Sequence, residues 1–249
     1  MKKLKKLSSK NSGRSGGKVT VRHQGGRAKR FLREIDYKRD KKEIWGKVAS
    51  IEYDPNRSSD VALILYEDGE RRYIIAPDGL VEGQKVISSD AAPIETGNTL
   101  PLGKIPIGTP IHNIELRKGK GGQMVKSAGS VAVLHGKDEK WVLIKLPSGE
   151  IRRFDPECFA TIGRVGRVES NTINLKKAGR KRRMGIRPTV RGVAMHPKAH
   201  PHGGGEGRSP VGLKYPKTVY GKKAVGKTRS RKKYSNRLII TGRKKGSHA

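Results

Sequence analysis

The middle of the chain alternates short apolar and polar stretches in the manner of β-strands. The segments IWGKVASIEYD (44–54) and VALILYEDGERRYIIAP (61–77) are rich in Val, Ile and Tyr, and Asp68-Gly69 is a hairpin turn signal between two apolar runs. GLVEGQKVISS and NTLPLGKIPIGTPIHNIEL continue with apolar runs interrupted by Gly and Pro, and few windows have helical periodicity. Five or so short strands over about 75 residues predict a small closed barrel.

A second region of the same kind follows in GSVAVLHGKDEKWVLIKLPSGEIRRFDPECFATIGRVG (129–166), which predicts two strands, a Pro-Ser-Gly turn and two more strands. Its hairpin repeats the first one 80 positions later, with matches of Leu63-Ile64 to Leu143-Ile144, of Gly69-Glu70 to Gly149-Glu150, and of Arg72 to Arg152. The pattern predicts an all-β fold of two small barrels in series, the first of the oligonucleotide-binding type. A single larger β-sandwich is the alternative.

Charge is distributed unevenly over the chain. The 249 residues contain 56 Lys and Arg against 22 Asp and Glu, a formal net charge of +34. Residues 1–42 carry +13, residues 43–175 carry −1, and residues 176–249 carry +22 with Glu206 as their single acid. Because both cationic segments are poor in apolar residues, we expect them to become ordered only against a polyanion. Nucleic acid is the first candidate, and an anionic membrane surface is the second.

Other features of the composition narrow the class of protein. No apolar run approaches the roughly 20 residues of a transmembrane helix, and Gly and Pro interrupt the basic stretches, which disfavours a membrane surface. The start, MKKLKKLSSKNSGRSGG, lacks the apolar segment of a secretory signal. Cys158 is the only cysteine, which excludes an internal disulfide and a cysteine-based zinc finger and suits a reducing compartment.

Three segments combine cations with glycine: VRHQGGRAKR (21–30), RKGKGGQ (117–123) and KKAGRKRRMGIRPTVRG (176–192). Glycine allows the backbone to approach a polyanion closely while neighbouring Lys and Arg contact phosphates. In the third segment, Gly179, Gly185 and Pro188 argue against a helix and favour an irregular Arg-rich strand, which suits the uneven surfaces of RNA. The candidate RNA-binding residues are Arg22, His23, Arg27, Lys118, Lys120, Arg180, Arg182, Arg183, Arg187, Arg191, Arg208, Lys227 and Arg229.

The stretch MHPKAHPHGGGEGRSP (195–210) contains three histidines, three consecutive glycines and a carboxylate, and it permits three interpretations. A zinc site would need the histidines and Glu206 gathered by a loop, because Pro and Gly preclude a regular helix. Catalysis would need a nucleophile or an orienting carboxylate, and Ala199 beside the central histidine supplies neither. We favour the third interpretation, in which backbone and imidazole donors lie against RNA and an Arg neutralises Glu206. Its residues are Met195, His196, His200, His202, Gly203, Gly204, Gly205 and Glu206.

The stretch GKKAVGKT (221–228) matches the P-loop pattern of nucleotide hydrolases. Its flanks, KYPKTVY and RSRKKYSNRL, supply neither a buried parallel strand nor an apolar crossover helix, so we interpret the match as chance and Lys227 as a contact to nucleic-acid phosphates. A metal- or nucleotide-dependent enzyme that uses the His-rich loop or this stretch is the alternative function. A DNA-compacting architectural protein is a third hypothesis.

Longer motifs carry a family resemblance. VRHQGG, IEYDPNRSSDVALILYEDGERRYIIAP, GNTLPLGKIPIGTPIHNIEL, KGKGGQMVKSAGS, LPSGEIRRF, ATIGRVG, RPTVRGVAMHP and HPHGGGEGRSP occur in this order, and on them the chain resembles the family of large ribosomal subunit protein two, of the bacterial and organellar type. The resemblance implies an OB-fold barrel, then an SH3-like barrel, and basic extensions threaded into 23S-type rRNA. The corresponding domains are a basic N-terminal extension (1–42), an OB-fold-like RNA-binding barrel (43–118), an SH3-like barrel (119–170) and a basic C-terminal extension (171–249).

The resemblance also implies a role. It is that of a non-enzymatic, primary rRNA binder that supports assembly of the peptidyl transferase region and association of the subunits, with the loop from Met195 to Arg208 directed toward the peptidyl transferase centre. The implied partners are 23S-type rRNA, neighbouring ribosomal proteins and small-subunit rRNA at the interface. No cofactor or metal is implied, and the expected location is the ribosome of the cytoplasm, with an organellar ribosome as the alternative.

The chain departs from the family pattern at a few positions. The family usually has Asn where His196 stands, an acid where Ala199 stands and Trp where Tyr220 stands, and a longer segment before Lys18. The missing acid argues against proton transfer by the His-rich loop, and the short start puts some N-terminal RNA contacts in doubt.

Overall fold

The computed structural model describes residues 4–9, 12–225, 229–230 and 232–243. Within them the fold is all-β, as predicted, and its antiparallel sheets are consistent with an OB-fold barrel followed by an SH3-like barrel. The described chain divides into two compact units. The β body comprises residues 4–8, 29–174 and 237–243, and the cationic unit comprises residues 9, 12–28, 175–225, 229–230 and 232–236.

Most of the regular structure is in short strands. The strands are β1 (Lys5–Leu7), β2 (Arg14–Ser15), β3 (Lys18–Val19), β4 (Phe31–Arg33), β5 (Gly46–Glu52), β6 (Val61–Tyr66), β7 (Arg71–Ile75), β8 (Lys85–Val86), β9 (Thr99–Pro101), β10 (Pro110–His112), β11 (Ile114–Glu115), β12 (Gly122–Met124), β13 (Ala132–Lys137), β14 (Val142–Lys145), β15 (Ile151–Phe154), β16 (Phe159–Ile162) and β17 (Ile239–Thr241). The helices of the described residues are the α-helix α1 (Ala178–Met184) and the 3-10 helices Leu102–Lys104, Val168–Asn171, Gly192–Ala194 and Tyr234–Leu238.

The first large sheet of the β body has four antiparallel strands in the order β7-β6-β5-β8. It surrounds a core formed by Val48, Ala62, Ile64, Tyr66, Ile74, Ala76, Leu80 and Val86. Burial of one side chain such as Ile64 stabilises the fold by about 2 kcal/mol. Gly46 opens β5 because a Cβ there would lie 2.4 Å from Cγ2 of Ile64, so only glycine lets this strand approach β6.

The second large sheet has seven antiparallel strands in the order β17-β15-β14-β13-β10-β16-β9. Its core contains Ile87, Ala92, Leu100, Leu102, Ile105, Ile111, Ile114, Ala132, Leu134, Val142, Ile144, Leu146, Phe154, Cys158, Ala160 and Ile162. Because each sheet has its own apolar core, the structure does not fit the alternative of a single larger β-sandwich.

The two hairpins that resemble each other in sequence have the same turn geometry. The residue before the turn donates its N–H to the glutamate carbonyl at 2.9 Å, and the glycine N–H donates back to that first residue at 2.9 Å. The residues are Tyr66, Gly69 and Glu70 in the first hairpin and Leu146, Gly149 and Glu150 in the second. Both glycines have a φ of +80°, which glycine adopts at little cost. The repeated Gly-Glu pair therefore specifies the same turn in both hairpins.

The cationic unit is built differently. Among its described residues no hydrophobic side chain is buried, and the buried polar side chains are those of Arg27, His202 and Ser235. Backbone hydrogen bonds and glycine turns hold it together instead. None of the helices in the described part of the chain has the length and hydrophobicity needed to span a bilayer.

The prediction of an irregular strand over residues 176–192 is wrong at its centre, where α1 forms. Gly185 adopts a φ of +95° and its N–H donates to the carbonyl of Arg182 at 3.0 Å, while the N–H of Ile186 donates to Lys181 at 3.1 Å. This is the usual way in which a glycine ends a helix, and a proline a few residues later, here Pro188, is also typical. The glycine and the proline mark the end of a helix and do not exclude one.

Candidate nucleic-acid interface

The β body pairs several of its arginines with carboxylates. Arg57 Nε lies 2.7 Å from Asp54 Oδ2, and Arg33 Nη2 lies 2.9 Å from Glu52 Oε2. Burial opposes ionisation of Asp54, but hydrogen bonds from Arg57 and Asn56 prevail and lower the pKa of this carboxyl group. These positive charges are therefore compensated within the body.

In the cationic unit, two segments far apart in sequence pair through their backbones. Three hydrogen bonds join them, from Gly25 N–H to the Gly185 carbonyl (2.9 Å), from Ala28 N–H to the Arg183 carbonyl (2.8 Å) and from Arg187 N–H to the His23 carbonyl (2.9 Å). An antiparallel bridge between Gln24 and Ile186 lies between them. The pairing brings the candidate RNA-binding residues of 22–27 to those of 182–187.

Glycine makes this close pairing possible. A Cβ at Gly185 would lie 3.0 Å from the Cβ of Arg27. Arg27 is buried, and its guanidinium donates to the backbone carbonyls of Ser9 and Ala28. This candidate phosphate ligand is therefore engaged inside the protein, where it holds backbone segments together.

The exposed arginines of the unit have a different environment. No carboxylate of the described residues lies within ion-pair distance of the exposed guanidinium groups of Arg180, Arg183, Arg187, Arg191 and Arg208. Lys181, which sequence reasoning missed, is exposed beside Arg180 on α1. The result is a surface with uncompensated positive charge.

Glu206 does not compensate the charge of these arginines. It is exposed, and no cation within the described ranges lies at ion-pair distance from it, so the expected Arg partner is not found there.

Glycine also determines the conformation of the His-rich loop. The Gly203 N–H donates to the His200 carbonyl at 2.9 Å, and the Gly204 N–H donates to the Met195 carbonyl at 3.0 Å. A Cβ at Gly203 would lie 2.4 Å from the carbonyl oxygen of His196, which real structures do not tolerate. The loop folds back on itself so closely that position 203 accepts only glycine without a backbone shift.

The ring nitrogens of the three histidines accept hydrogen bonds from backbone N–H groups. The His202 N–H donates to His200 Nδ1 at 3.0 Å, the Lys198 N–H to His196 Nδ1 at 3.2 Å, and the Lys217 N–H to His202 Nε2 at 2.7 Å. A ring nitrogen that accepts has no proton, so in the neutral ring the proton is on the other nitrogen. Among the described residues, no group of three or more His, Cys, Asp or Glu side chains is arranged to hold a metal ion. The rings of His196 and His200 each keep Nε2–H as a donor.

The described part of the P-loop match, 221–225, contains a turn and no helix. Lys217 and Lys223 form an antiparallel bridge, the Thr218 N–H donates to the Lys222 carbonyl at 2.7 Å, and the Gly221 N–H donates back to Thr218 at 2.9 Å. A P-loop instead runs from a buried strand into a helix. The match ends in residues 226–228, so Lys227 lies outside the described residues.

The candidate loop at 117–123 belongs to the β body. Its position is fixed by the buried Glu115, whose carboxylate accepts the Gly121 N–H at 2.7 Å. Lys118 and Lys120 are exposed at its tip, and Lys118 Nζ lies 2.7 Å from Glu157 Oε2, which raises the pKa of Lys118. One of the two lysines is therefore compensated.

The remaining candidates are sorted by their exposure. The exposed ones are Arg22, Lys120, Arg180, Arg183, Arg187, Arg191, His196, Gly205, Glu206, Arg208 and Arg229. The half-buried ones are His23, Arg182, Met195, His200, Gly203 and Gly204. Arg229 also donates from Nη2 to Ser235 Oγ at 3.0 Å. The sequence has no signal for the pairing of 23–28 with 183–187, because nothing local relates segments so far apart.

Comparison with protein families agrees with this surface. The family model described as "Ribosomal Proteins L2, RNA binding N-terminal domain" matches residues 1–88. The model described as "Ribosomal Proteins L2, C-terminal domain" matches residues 95–221. Together they cover most of the sequence, and the resemblance found in the motifs is confirmed: the chain belongs to the ribosomal protein L2 family.

Proposed function

We propose that the chain acts as a structural rRNA-binding protein of the large ribosomal subunit, with the cationic unit as its main phosphate-binding surface. The observation that carries this proposal is the set of exposed arginines without a carboxylate partner among the described residues, from Arg180 to Arg208. Each such cation releases counterions when it neutralises a phosphate, and this release is a major source of affinity. Compensated arginines, such as Arg57, contribute less.

Two observations favour rRNA over duplex DNA. The cations stand on short turns, a single two-turn helix and paired irregular segments, which suit the uneven phosphate spacing of folded RNA. The N-terminal family model is also described as RNA-binding. The rRNA-binding residues of the proposal are Lys227 and the exposed candidate cations Arg22, Lys118, Lys120, Arg180, Arg183, Arg187, Arg191, Arg208 and Arg229.

We further propose that the loop from Met195 to Arg208 lies toward the peptidyl transferase region and supports its assembly and the association of the subunits, beside neighbouring ribosomal proteins. Its histidine rings accept hydrogen bonds from backbone N–H groups. The family is one of structural proteins, and we propose no enzymatic role. The division into 1–42, 43–118, 119–170 and 171–249 remains a prediction.

The test measures how binding of a 23S-type rRNA fragment depends on salt. In the full chain, Arg180, Arg183 and Arg187 are each replaced by Gln. If each contacts one phosphate, the slope of log K against log salt should become shallower by roughly two to three, because one contact contributes about 0.7 to 0.9.

A control variant removes the same charge elsewhere. Lys85, Lys145 and Arg153 are exposed cations on strands of the β body, and we replace them by Gln as well. The proposal expects a clearly smaller change of slope for this variant. Equal changes would show that only net charge matters, and an unchanged slope in the first variant would refute the cationic unit as the main binding surface.

A further inference from the structure

The turn from Lys217 to Lys223 presents an aromatic ring to solvent. Tyr220 stands at its tip with 81% of its surface exposed, more than any other large hydrophobic or aromatic side chain of the described residues. No described residue hydrogen-bonds its hydroxyl group or lies over its ring. The ring therefore has no visible role inside the part of the protein that the structure describes.

Several backbone hydrogen bonds hold the turn although it is small. The Thr218 N–H donates to Lys222, the Ala224 N–H donates to the Pro216 carbonyl at 2.9 Å, and Gly221 takes a φ of +75° at the corner. The turn is also fastened to the His-rich loop through the hydrogen bond from Lys217 N–H to the buried His202. A ring presented in this way needs little further ordering on binding.

The surroundings of the ring are cationic. Lys217, Lys222 and Lys223 lie within three residues of it, and acidic side chains are absent from residues 207–243. The nearby Tyr215 has one face covered by Lys223, whose Nζ lies 5.2 Å from the ring centroid. No cation or aromatic ring of the described residues lies over Tyr220, which is 81% exposed. An open aromatic face beside several cations matches an unpaired nucleotide, in which the base stacks and the phosphates meet the ammonium groups.

We propose that Tyr220 is a base-stacking site that holds one unpaired nucleotide of RNA on the tip of the Lys217–Lys223 turn. This inference rests on the proposed rRNA-binding function and adds to it a contact that depends on a base and not on phosphate alone. The site discriminates single-stranded or bulged RNA from paired RNA, because a paired base has no free face to offer.

The experiment compares two labelled probes, the oligonucleotide r(A)12 and a ribose-phosphate chain of the same length without bases. Both carry the same charge, so their difference in affinity for the full chain reports base contacts. Replacing Tyr220 by Leu should weaken r(A)12 roughly tenfold and leave the abasic chain unchanged, whereas Tyr220→Phe should retain the affinity for r(A)12. The matched control is Tyr53→Leu, since Tyr53 is 56% exposed on the β body and has Arg167 over its ring at 4.8 Å; it should change neither probe.

A second measurement does not depend on affinity. In Tyr220→Trp, the indole fluorescence, after subtraction of the wild-type signal from Trp45 and Trp141, should be quenched by r(A)12 and not by the abasic chain.

Equal loss of affinity for both probes in Tyr220→Leu, or absence of both the loss and the quenching, would overturn the stacking site. Normal RNA binding combined with failure of Tyr220→Leu to enter large-subunit particles would assign the ring to a protein neighbour and also overturn it. Failure of the wild-type chain to bind the 23S-type fragment would instead count against the proposed function.

Discussion

The β body and the cationic unit reach defined backbone conformations by opposite means. The body has two apolar cores, and several of its arginines pair with carboxylates, as Arg57 does with Asp54 and Arg33 with Glu52. The described residues of the cationic unit contain no buried hydrophobic side chain, and its exposed arginines have no carboxylate partner there. The body compensates part of its positive charge internally, whereas the exposed arginines of the unit keep their charge available for another molecule.

This difference indicates which interactions decide each conformation. In the body, apolar burial supplies most of the favourable free energy and the hydrogen bonds select the register. In the cationic unit the backbone turns are specified by glycines such as Gly185 and Gly203, and their cost in conformational entropy is not offset by a core. We therefore expect substitutions to act on folding in the body and on RNA binding in the unit.

The largest contrast should come from truncating the same residue type in each region. Ile144 is fully buried on β14, and Ile144→Ala should lower the free energy of unfolding by 2–5 kcal/mol, an order-of-magnitude figure for lost contacts plus a cavity. Ile186 is 48% exposed in the cationic unit, and Ile186→Ala should change it by less than about 0.5 kcal/mol. Urea unfolding followed by tryptophan fluorescence measures both, since Trp45 packs against the core that contains Ile144. Similar losses in the two variants would remove the distinction between the regions.

A smaller effect concerns acid sensitivity, which we expect to arise in the body. His112 is buried on β10 with Nδ1 2.9 Å from the Gly163 carbonyl oxygen, and burial lowers the pKa of its imidazole from 6.5 to about 4. Between pH 6.5 and pH 4 His112 becomes protonated in the unfolded chain but stays neutral in the folded chain. The free energy of unfolding is therefore highest above pH 6.5 and decreases as the pH falls toward 4. The loss should amount to about 3 kcal/mol.

The control for this prediction is His112→Gln, whose amide can donate to Gly163 but does not titrate in this range. Unfolding free energies of both proteins, measured from pH 7 to pH 4, should diverge in slope, with the steeper fall in the wild type. Parallel curves would show that His112 does not determine the acid response.

The sequence predicts structure best where the structure depends on local patterns. The hairpins β6–β7 and β14–β15 were predicted from alternation and from Gly69 and Gly149, because period-two burial and a left-handed turn leave direct marks on the residues. Charge predicts a neutral region over residues 43–175 between two cationic segments, and the β body also includes residues 4–8 and 29–42 of the first of these segments. The chemistry of the partner followed from the same charge.

The sequence was least informative where structure depends on long-range pairing. Nothing in 21–30 shows that it pairs with 183–187. The sequence does not predict α1 either, because a glycine such as Gly185 is found both where a helix is broken and where a helix ends. The hydrogen bonds that Arg27 donates to backbone carbonyls also depend on which segments meet. Contacts between distant segments depend on the folded backbone, and a single sequence does not predict them.

The smallest effects are expected from a matched pair of glycine substitutions inside the cationic unit. Gly179 lies in α1 with open space at its Cβ position, so Gly179→Ala should favour the helix by up to about 1 kcal/mol and tighten binding of the rRNA fragment by up to about fivefold. Gly203→Ala would place its Cβ 2.4 Å from the His196 carbonyl oxygen, and the forced shift of the loop should weaken binding by a few-fold or more. Neither change should alter urea unfolding of the β body, because neither residue touches an apolar core. If Gly203→Ala instead destabilised the body while leaving RNA affinity intact, the His-rich loop would belong to the folding of the protein and not to its binding surface.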